Sequence, residues 1–336
     1  MRLPNDNTAA MHFSWQAELA DSFTHPRDLL AYLELDAADF PDLDEAARRF
    51  PFRVARGYAA RMKPRDRADP LLRQVLPLGE ELWEQPGFVA DPVGDLAAVS
   101  APGVLHKYHG RVLLLATGAC AIHCRYCFRR EFPYEANLLS KSREQAALNH
   151  IAADTSIREV ILSGGDPLVL SDERLDRLLA ALADIPHVGR LRLHTRLPIV
   201  LPSRITEALL RCLSATRLRT VLVVHANHAQ ECDGEVKSAL NSLRGAGILL
   251  LNQAVLLRGI NDDADTLVRL SETLFEHGAL PYYLHLLDKT RGTAHFDVSE
   301  ERARELLRAM RERLPGYLVP KLVREVKGEA FKRPIA

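Results

Sequence analysis

Three cysteines lie within eight residues of one another, Cys120, Cys124 and Cys127 in the segment CAIHCRYC. Thiolates bind zinc and iron–sulfur clusters. A structural zinc site normally has four closed ligands, and here only His123 is near enough in sequence to be a fourth. A Cys-x3-Cys-x2-Cys loop can instead ligate three irons of a 4Fe–4S cluster and leave the fourth iron open to a substrate or cofactor. The spacing favours the cluster, with zinc as the alternative.

The composition excludes several classes of protein. Five cysteines in 336 residues, with three of them clustered, do not form a disulfide framework, and we interpret Cys212 and Cys232 as buried, inert thiols. The formal net charge is zero, so no global field would recruit nucleic acid or a membrane surface. The N-terminus has no apolar signal region, and no later stretch approaches the roughly 20 apolar residues of a membrane span. We expect a cytoplasmic protein.

The chemistry-bearing residues must be positioned by an α/β framework. Apolar, strand-like runs alternate with helical stretches after about residue 105, as parallel strands and their crossovers require. Six strands are predicted, at 112–117, 159–163, 191–195, 220–225, 248–253 and 282–287. They indicate a partial (β/α)6 TIM-like barrel, and a doubly wound open sheet is the alternative. We expect an N-terminal helical segment at 1–105, the barrel at 106–290, and a short C-terminal segment at 291–336 with a helix and a strand.

Polar residues follow each of these predicted strands. The first strand leads into the cysteine loop, and the others end in SGGDP, HTR, HANH, the pair Asn252 and Gln253, and Asp288. In α/β barrels the loops at the carboxyl ends of the strands converge on one mouth, where active sites lie. The six strand ends therefore predict one shared pocket.

The cysteine spacing, with an aromatic residue just before the last cysteine, resembles the signature of the radical S-adenosylmethionine (SAM) enzymes. The resemblance implies that SAM chelates the open iron and that its reductive cleavage, by an external electron donor, yields a 5′-deoxyadenosyl radical. The glycines of SGGDP would let the backbone approach SAM, although a tight turn would need them for a related reason. The implied SAM contacts are Tyr126, Ser163, Gly164, Gly165, His225 and Gln253.

A narrower resemblance extends over about residues 50 to 332. Segments including CRYCFRREF, ILSGGDPLVLSD, NQAVLLRGIND and PYYLHLLDKTRGTAHF are similar, in order and spacing, to lysine 2,3-aminomutase. That family combines the SAM radical with pyridoxal phosphate, which holds the substrate amine while the nitrogen migrates between adjacent carbons. The resemblance therefore implies an isomerase with a second organic cofactor.

Pyridoxal phosphate requires a lysine that binds its aldehyde and cations that bind its phosphate. The family positions for the phosphate fall on Lys107, Tyr108 and Arg111. The lysine falls on Lys332, and Lys327 is the alternative because the glycine-rich run that often precedes the family lysine is reduced here to a single glycine.

The resemblance also indicates the substrate. Arg129 matches the family residue that binds the substrate carboxylate, and a guanidinium suits bidentate pairing. Asp288 and Glu325 match the acids that bind the distal ammonium of lysine, and such acids would repel the side chain of glutamate. The implied reaction converts L-lysine to β-lysine.

The biological branch is inferred from two departures from the catabolic enzymes of the family. Glu325 stands where those enzymes commonly have aspartate, and the chain stops at Ala336 without their cysteine-containing, zinc-binding extension. Both features resemble the bacterial branch that supplies (R)-β-lysine for translation elongation factor P. A separate ligase attaches the β-lysine in that pathway, and a functional link to this ligase is expected.

Two other functions stay open at this point. One is a 2,3-aminomutase that acts on glutamate or another amino acid, against which the two acids argue. The other is a non-catalytic iron–sulfur or zinc protein that binds nucleic acid or a protein partner through the basic, aromatic segment at 48–67. Zero net charge and the polar strand ends argue against such a binding protein.

Overall fold

The computed structural model of the protein describes residues 14–335. Its α-helices are α1 Trp15–Ala20, α2 Pro26–Tyr32, α3 Leu43–Arg49, α4 Arg56–Ala59, α5 Pro70–Arg73, α6 Tyr134–Asn137, α7 Lys141–Ala153, α8 Asp172–Ala183, α9 Leu197–Val200, α10 Glu207–Ser214, α11 Gly234–Gly245, α12 Ala264–Glu276 and α13 Glu300–Arg313. Its strands are β1 Val99–Ala101, β2 Val104–Tyr108, β3 Arg111–Thr117, β4 Glu159–Gly164, β5 Arg190–His194, β6 Arg219–Val224, β7 Leu249–Val255, β8 Leu280–His285, β9 Lys321–Arg324 and β10 Arg333–Pro334.

These strands form one sheet in which the spatial order follows the chain order. Strands β3 to β9 pair in parallel with their neighbours, and β1, β2 and β10 add antiparallel pairs at the two edges. Within residues 14–335, β1 and β10 make no ladder with each other, so hydrogen bonds do not close the sheet. The partial barrel is confirmed.

The six predicted strands correspond to β3 through β8. Each prediction differs from the observed strand by two residues or fewer at either end. Strand β9, which the C-terminal pattern also predicts, extends the parallel order by one strand. The antiparallel strands β1 and β2 were not expected from the sequence. They are short, and apolar and polar residues alternate poorly along them. Strand β2 joins the sheet by pairing with β3, and β1 by pairing with β2, which the local sequence does not indicate.

The longer helices that connect the strands have clear sequence signals at their starts. Helices α8, α10, α11, α12 and α13 each begin after a side chain that accepts a hydrogen bond from the first turn, which satisfies one of the free helical N–H groups. These capping residues are Ser171, Thr206, Asp233, Asp263 and Ser299. Each of these helices buries an apolar face that includes leucines, as in α8, where four leucines are buried.

The N-terminal segment is fastened to the cysteine loop by a buried charge. Arg125 is fully buried and donates to both carboxylate oxygens of Glu81, at 2.7 and 2.5 Å. It also donates to the backbone carbonyls of Ala46 and Phe50. A buried guanidinium is tolerated only when it is paired and hydrogen-bonded, so these contacts fix the loop between its cysteines.

Among residues 14–335, no helix combines the length and the hydropathy that a membrane crossing requires. The boundaries expected at residues 105 and 290 remain predictions.

Candidate active site

A single cavity of about 800 Å³ lies at the carboxyl ends of the parallel strands. All the residues that the sequence analysis assigns to a site line this cavity, although they come from many different elements. They are Cys120, Cys124, Cys127, Tyr126, Ser163, Gly164, Gly165, His225, Gln253, Lys107, Tyr108, Arg111, Lys332, Arg129, Asp288 and Glu325. The predicted shared pocket is therefore present, and the individual roles of its residues remain predictions.

The three clustered cysteines occupy one part of the cavity wall. Burial raises the pKa of Cys120, and burial together with the neighbouring Cys124 raises that of Cys127 to about 11. The thiols of Cys120 and Cys127 would thus carry their protons at neutral pH in the absence of a metal centre, which would displace these protons on binding. Within residues 14–335, no three His, Cys, Asp or Glu side chains converge on a single ion. A 4Fe–4S cluster does not require such convergence, because each cysteine binds a different iron.

The glycines of the SGGDP segment are required by a close approach of two backbones. A Cβ atom on Gly164 would collide with the carbonyl oxygen of Thr117, and one on Gly165 with that of Ala119. Gly164 also has φ +119°, which L side chains rarely adopt. The amide of Gly165 donates to the Thr117 carbonyl at 2.6 Å. The turn against the cysteine loop therefore accounts for both glycines in the structure.

Two of the residues predicted to contact SAM are fixed against each other. Tyr126 Oη lies 3.2 Å from His225 Nε2, and Asn227 Nδ2 donates to the same hydroxyl at 2.7 Å. Burial, followed by the charge of Arg196, lowers the pKa of His225 to about 3, so its imidazole is neutral. Both side chains are held in single orientations and present aromatic surface to the cavity.

A chain of alternating charges lines another wall. Arg129 Nε and Lys107 Nζ bind the two oxygens of Asp95, at 2.6 and 2.5 Å. Burial alone would lower the pKa of Arg129, but the Asp95 carboxylate outweighs it and raises this pKa. Arg129 Nη1 donates to Ser163 Oγ at 3.2 Å, and within residues 14–335 its Nη2 has no hydrogen-bond partner. One edge of the guanidinium is thus open to a carboxylate.

Glu325 continues this chain of charges. It accepts a hydrogen bond from Lys107 Nζ at 2.8 Å, and its other oxygen accepts one from Lys332 Nζ. Burial would raise the pKa of Glu325, but Lys332 and then Lys107 hold it far below its usual range. The alternative lysine, Lys327, is exposed and does not line the cavity. The geometry thus favours Lys332 over Lys327 as the residue available to a cofactor.

Asp288 lines this cavity and forms no ion pair within residues 14–335. Asp166, which also lines it, accepts hydrogen bonds from Thr195 and from backbone amides instead. The Oδ1 of Asp288 is buried and has no hydrogen-bond partner among residues 14–335. Burial and then the charge of Glu325 raise its pKa to about 7. A buried carboxyl without a partner is costly, which suits a group that pairs with a cationic ligand.

Several residues of the site were not identified from the sequence. No sequence pattern indicates a role for Asp95, because it lies in an irregular part of the N-terminal segment. Arg196 belongs to the strand-end triplet HTR of the predicted pocket, but the sequence assigns it no role, although it follows β5 as His225 follows β6. It donates to Cys124 Sγ at 2.7 Å and to Glu231 Oε2 at 2.8 Å. Sequence spacing cannot reveal such contacts, because the partners lie on different strand ends.

Four of the eight basic residues in the segment at 48–67 form ion pairs within the protein. Arg56, Arg65 and Arg67 form ion pairs with acids of the N-terminal helices and turns. Arg61 donates to the carbonyl of Ile199 at 2.8 Å. These contacts argue against the segment as a free surface for nucleic acid.

Comparisons with known proteins agree with this geometry. A family model described as the Radical SAM superfamily matches residues 114–270. The chain is 49% identical to the L-lysine 2,3-aminomutase of Escherichia coli (strain K12), over 96% of this chain and 94% of the relative. It is 44% identical to the Haemophilus influenzae protein of that name, over 98% of both chains. It is 32% identical to the one from Clostridium subterminale, over 96% of this chain and 77% of the relative.

The close approach at Gly165 generates a prediction about the cysteine loop. Gly165→Ala should lower the free energy of unfolding by about 1–3 kcal/mol, since the new methyl group forces the two backbones apart. It should also lower the iron content after reconstitution, because the displaced segment carries Cys120. Urea unfolding and iron analysis measure the two effects. Gly189→Ala is the matched control, with open space around the added methyl group. Equal effects of both substitutions would contradict the prediction.

Proposed function

The chain belongs to the L-lysine 2,3-aminomutase family of radical SAM enzymes, and we propose that it converts L-lysine to (R)-β-lysine. One observation supports this most strongly. The cavity that contains the three cysteines also contains a guanidinium with a free edge and a buried acid without a partner, on Arg129 and Asp288. Lysine carries the complementary pair of charges, a carboxylate and a distal ammonium.

The proposal assigns three cofactors to the cavity. The cysteines would hold a 4Fe–4S cluster. SAM would be held by the wall formed by Tyr126, His225, Gln253 and the first three residues of SGGDP. Pyridoxal phosphate would be held by Lys107, Tyr108, Arg111 and Lys332. When bound, the cluster and SAM supply a radical that removes a substrate hydrogen, and pyridoxal phosphate carries the migrating nitrogen. Electrons for the cluster would come from an external reductant.

Arg129 would orient the substrate by its carboxylate. Asp95 and Ser163 hold the guanidinium in place, so little side-chain freedom is lost when the carboxylate binds. Because Arg129 is buried, its charge is weakly screened, and the pairing is stronger than at the surface. The residue thus sets which end of the substrate lies near the cofactors.

Asp288 would bind the distal ammonium. It is the better placed of the two predicted acids, since both oxygens of Glu325 are engaged by lysines. Glu325 could bind the substrate only by giving up one of these contacts, and in the structure it fixes the position of Lys332 Nζ. The negative charge of both acids would repel the side chain of glutamate, which is why we place the glutamate 2,3-aminomutase second.

Product analysis tests the proposal. The reconstituted protein would be incubated without oxygen with SAM, pyridoxal phosphate, dithionite and equimolar L-lysine and L-glutamate. Chiral mass spectrometry should then detect (R)-β-lysine, with β-glutamate absent. Deoxyadenosine without a β-amino acid would support the radical chemistry but contradict lysine as the substrate. Formation of β-glutamate would establish the alternative, a glutamate 2,3-aminomutase.

The titration of Asp288 generates a second prediction. In the ligand-free protein this carboxyl is protonated below about pH 7 and charged above it, because its pKa is raised. Only the charged form attracts an ammonium, so the KM for lysine should fall as the pH rises from about 6 to about 8. Asp288→Asn should flatten this dependence and lower kcat/KM about 30-fold or more. Steady-state β-lysine formation across the pH range measures both.

The control for this prediction is Asp184→Asn, which alters an exposed carboxylate outside the cavity. It should retain the pH dependence of the unaltered protein. A persistent fall of KM with rising pH in the Asp288→Asn variant would assign the effect to another group.

We also propose that the product serves translation elongation factor P in the cytoplasm, where a separate ligase would attach it. The resemblance of the chain to that bacterial branch supports this step, and so does glutamate rather than aspartate at position 325. Deletion of the gene should remove the mass of the β-lysyl group from the factor in intact-protein mass spectrometry. The full chain should restore it and a Cys124→Ala variant should not. An unchanged mass after deletion would refute the link.

A further inference from the structure

We propose that Arg196 is a positioning residue that donates a charged N–H···S hydrogen bond to Cys124 and thereby raises the reduction potential of the iron–sulfur cluster. The inference rests on the cluster assigned under the proposed function. It adds a residue that neither the sequence motif nor the superfamily match identifies.

The geometry of the contact is direct. Arg196 Nη1 lies 2.7 Å from Cys124 Sγ, and the arginine side chain is buried. The guanidinium carries its charge at all accessible pH values. Because little water surrounds this contact, the electrostatic effect of the guanidinium charge on the Cys124 sulfur is only weakly screened.

Arg196 is held in this orientation by contacts on its other side. Nη2 donates to Glu231 Oε2 at 2.8 Å and to Gln74 Oε1 at 2.7 Å. Its backbone amide donates to Asp166 Oδ2 at 2.6 Å. The guanidinium therefore cannot swing away from the sulfur without breaking several buried hydrogen bonds.

The carboxylate of Glu231 only partly cancels the effect of the Arg196 charge on the Cys124 sulfur. It accepts from Nη2, whereas Nη1 contacts Cys124, so the positive group of the ion pair is the one in direct contact with the sulfur. Its Oε1 also accepts from the amides of Asn227 and His228, at 2.8 and 3.0 Å, which stabilises its negative charge where it is. The oriented pair thus acts on the cluster as a fixed dipole.

Reduction adds one electron to a cluster that already carries net negative charge with its three thiolates. A hydrogen bond and a positive charge at a ligand sulfur stabilise the reduced form more than the oxidised form. One such contact should change the ratio of reduced to oxidised cluster about tenfold at fixed potential, equivalent to about 59 mV for one electron. The cluster must be reduced before the radical can form. By raising the reduction potential, the contact between Arg196 and Cys124 would allow a weaker electron donor to reduce the cluster.

The experiment compares cluster midpoint potentials in the reconstituted full chain, without SAM, by EPR-monitored redox titration. Arg196→Gln alone would leave Glu231 buried without its cation, so the test variant combines it with Glu231→Gln. Glu231→Gln alone keeps the arginine. Arg204→Gln removes another fully buried arginine, one that does not line the cavity. Iron content and thermal unfolding accompany each titration.

The double variant should have a more negative midpoint than the unaltered protein, with about a tenfold smaller ratio of reduced to oxidised cluster at the same potential. Glu231→Gln and Arg204→Gln should not show this fall. An unchanged midpoint in a double variant with full iron content would overturn the inference. Loss of iron from the double variant alone would also overturn it, because Arg196 would then serve cluster assembly. An unaltered protein that binds no cluster would refute the proposed function itself.

Discussion

The parallel pairing of β3 through β9 is the constraint on which the site depends. Neighbouring parallel strands run in the same direction and end at the same edge of the sheet, so the residue that follows each strand is delivered to one place. The cysteine loop after β3, the glycine turn after β4, Arg196 after β5 and His225 after β6 all reach the cavity in this way. A shift in one pairing would turn that strand's last side chains away from the cavity.

Five charged groups on one wall of the cavity are paired with one another. Asp95 links Arg129 to Lys107, and Glu325 links Lys107 to Lys332, so these five groups form a continuous chain of partners. Buried charges are tolerated when they are paired. Asp288 stands outside the chain, and burial followed by the negative charge of Glu325 raises its pKa. A cationic ligand would give this carboxylate the partner that it lacks.

The cysteine loop is supported from three directions. Arg125 ties it to the N-terminal segment through Glu81, and Arg196 contacts it from the end of β5. The close backbone contact with Gly164 and Gly165 supports it from β4. A loop that carries three ligands would otherwise lose considerable conformational freedom when it binds a cluster. These contacts hold the loop in place within the fold, as preorganised sites require.

The sequence alone determined the parallel strands β3 to β9, the shared pocket and the cysteine motif. Strand patterns and motif spacing are local, so they can be identified before the fold is known. Only the tertiary structure decided which charged groups meet. Lys107 and Glu325 are 218 positions apart, and Arg196 is 72 positions from Cys124. It also decided that β1 and β2 join the sheet and that Glu325 is engaged while Asp288 is not. Such pairings depend on the register and packing of distant elements, which residue types and spacing do not encode locally.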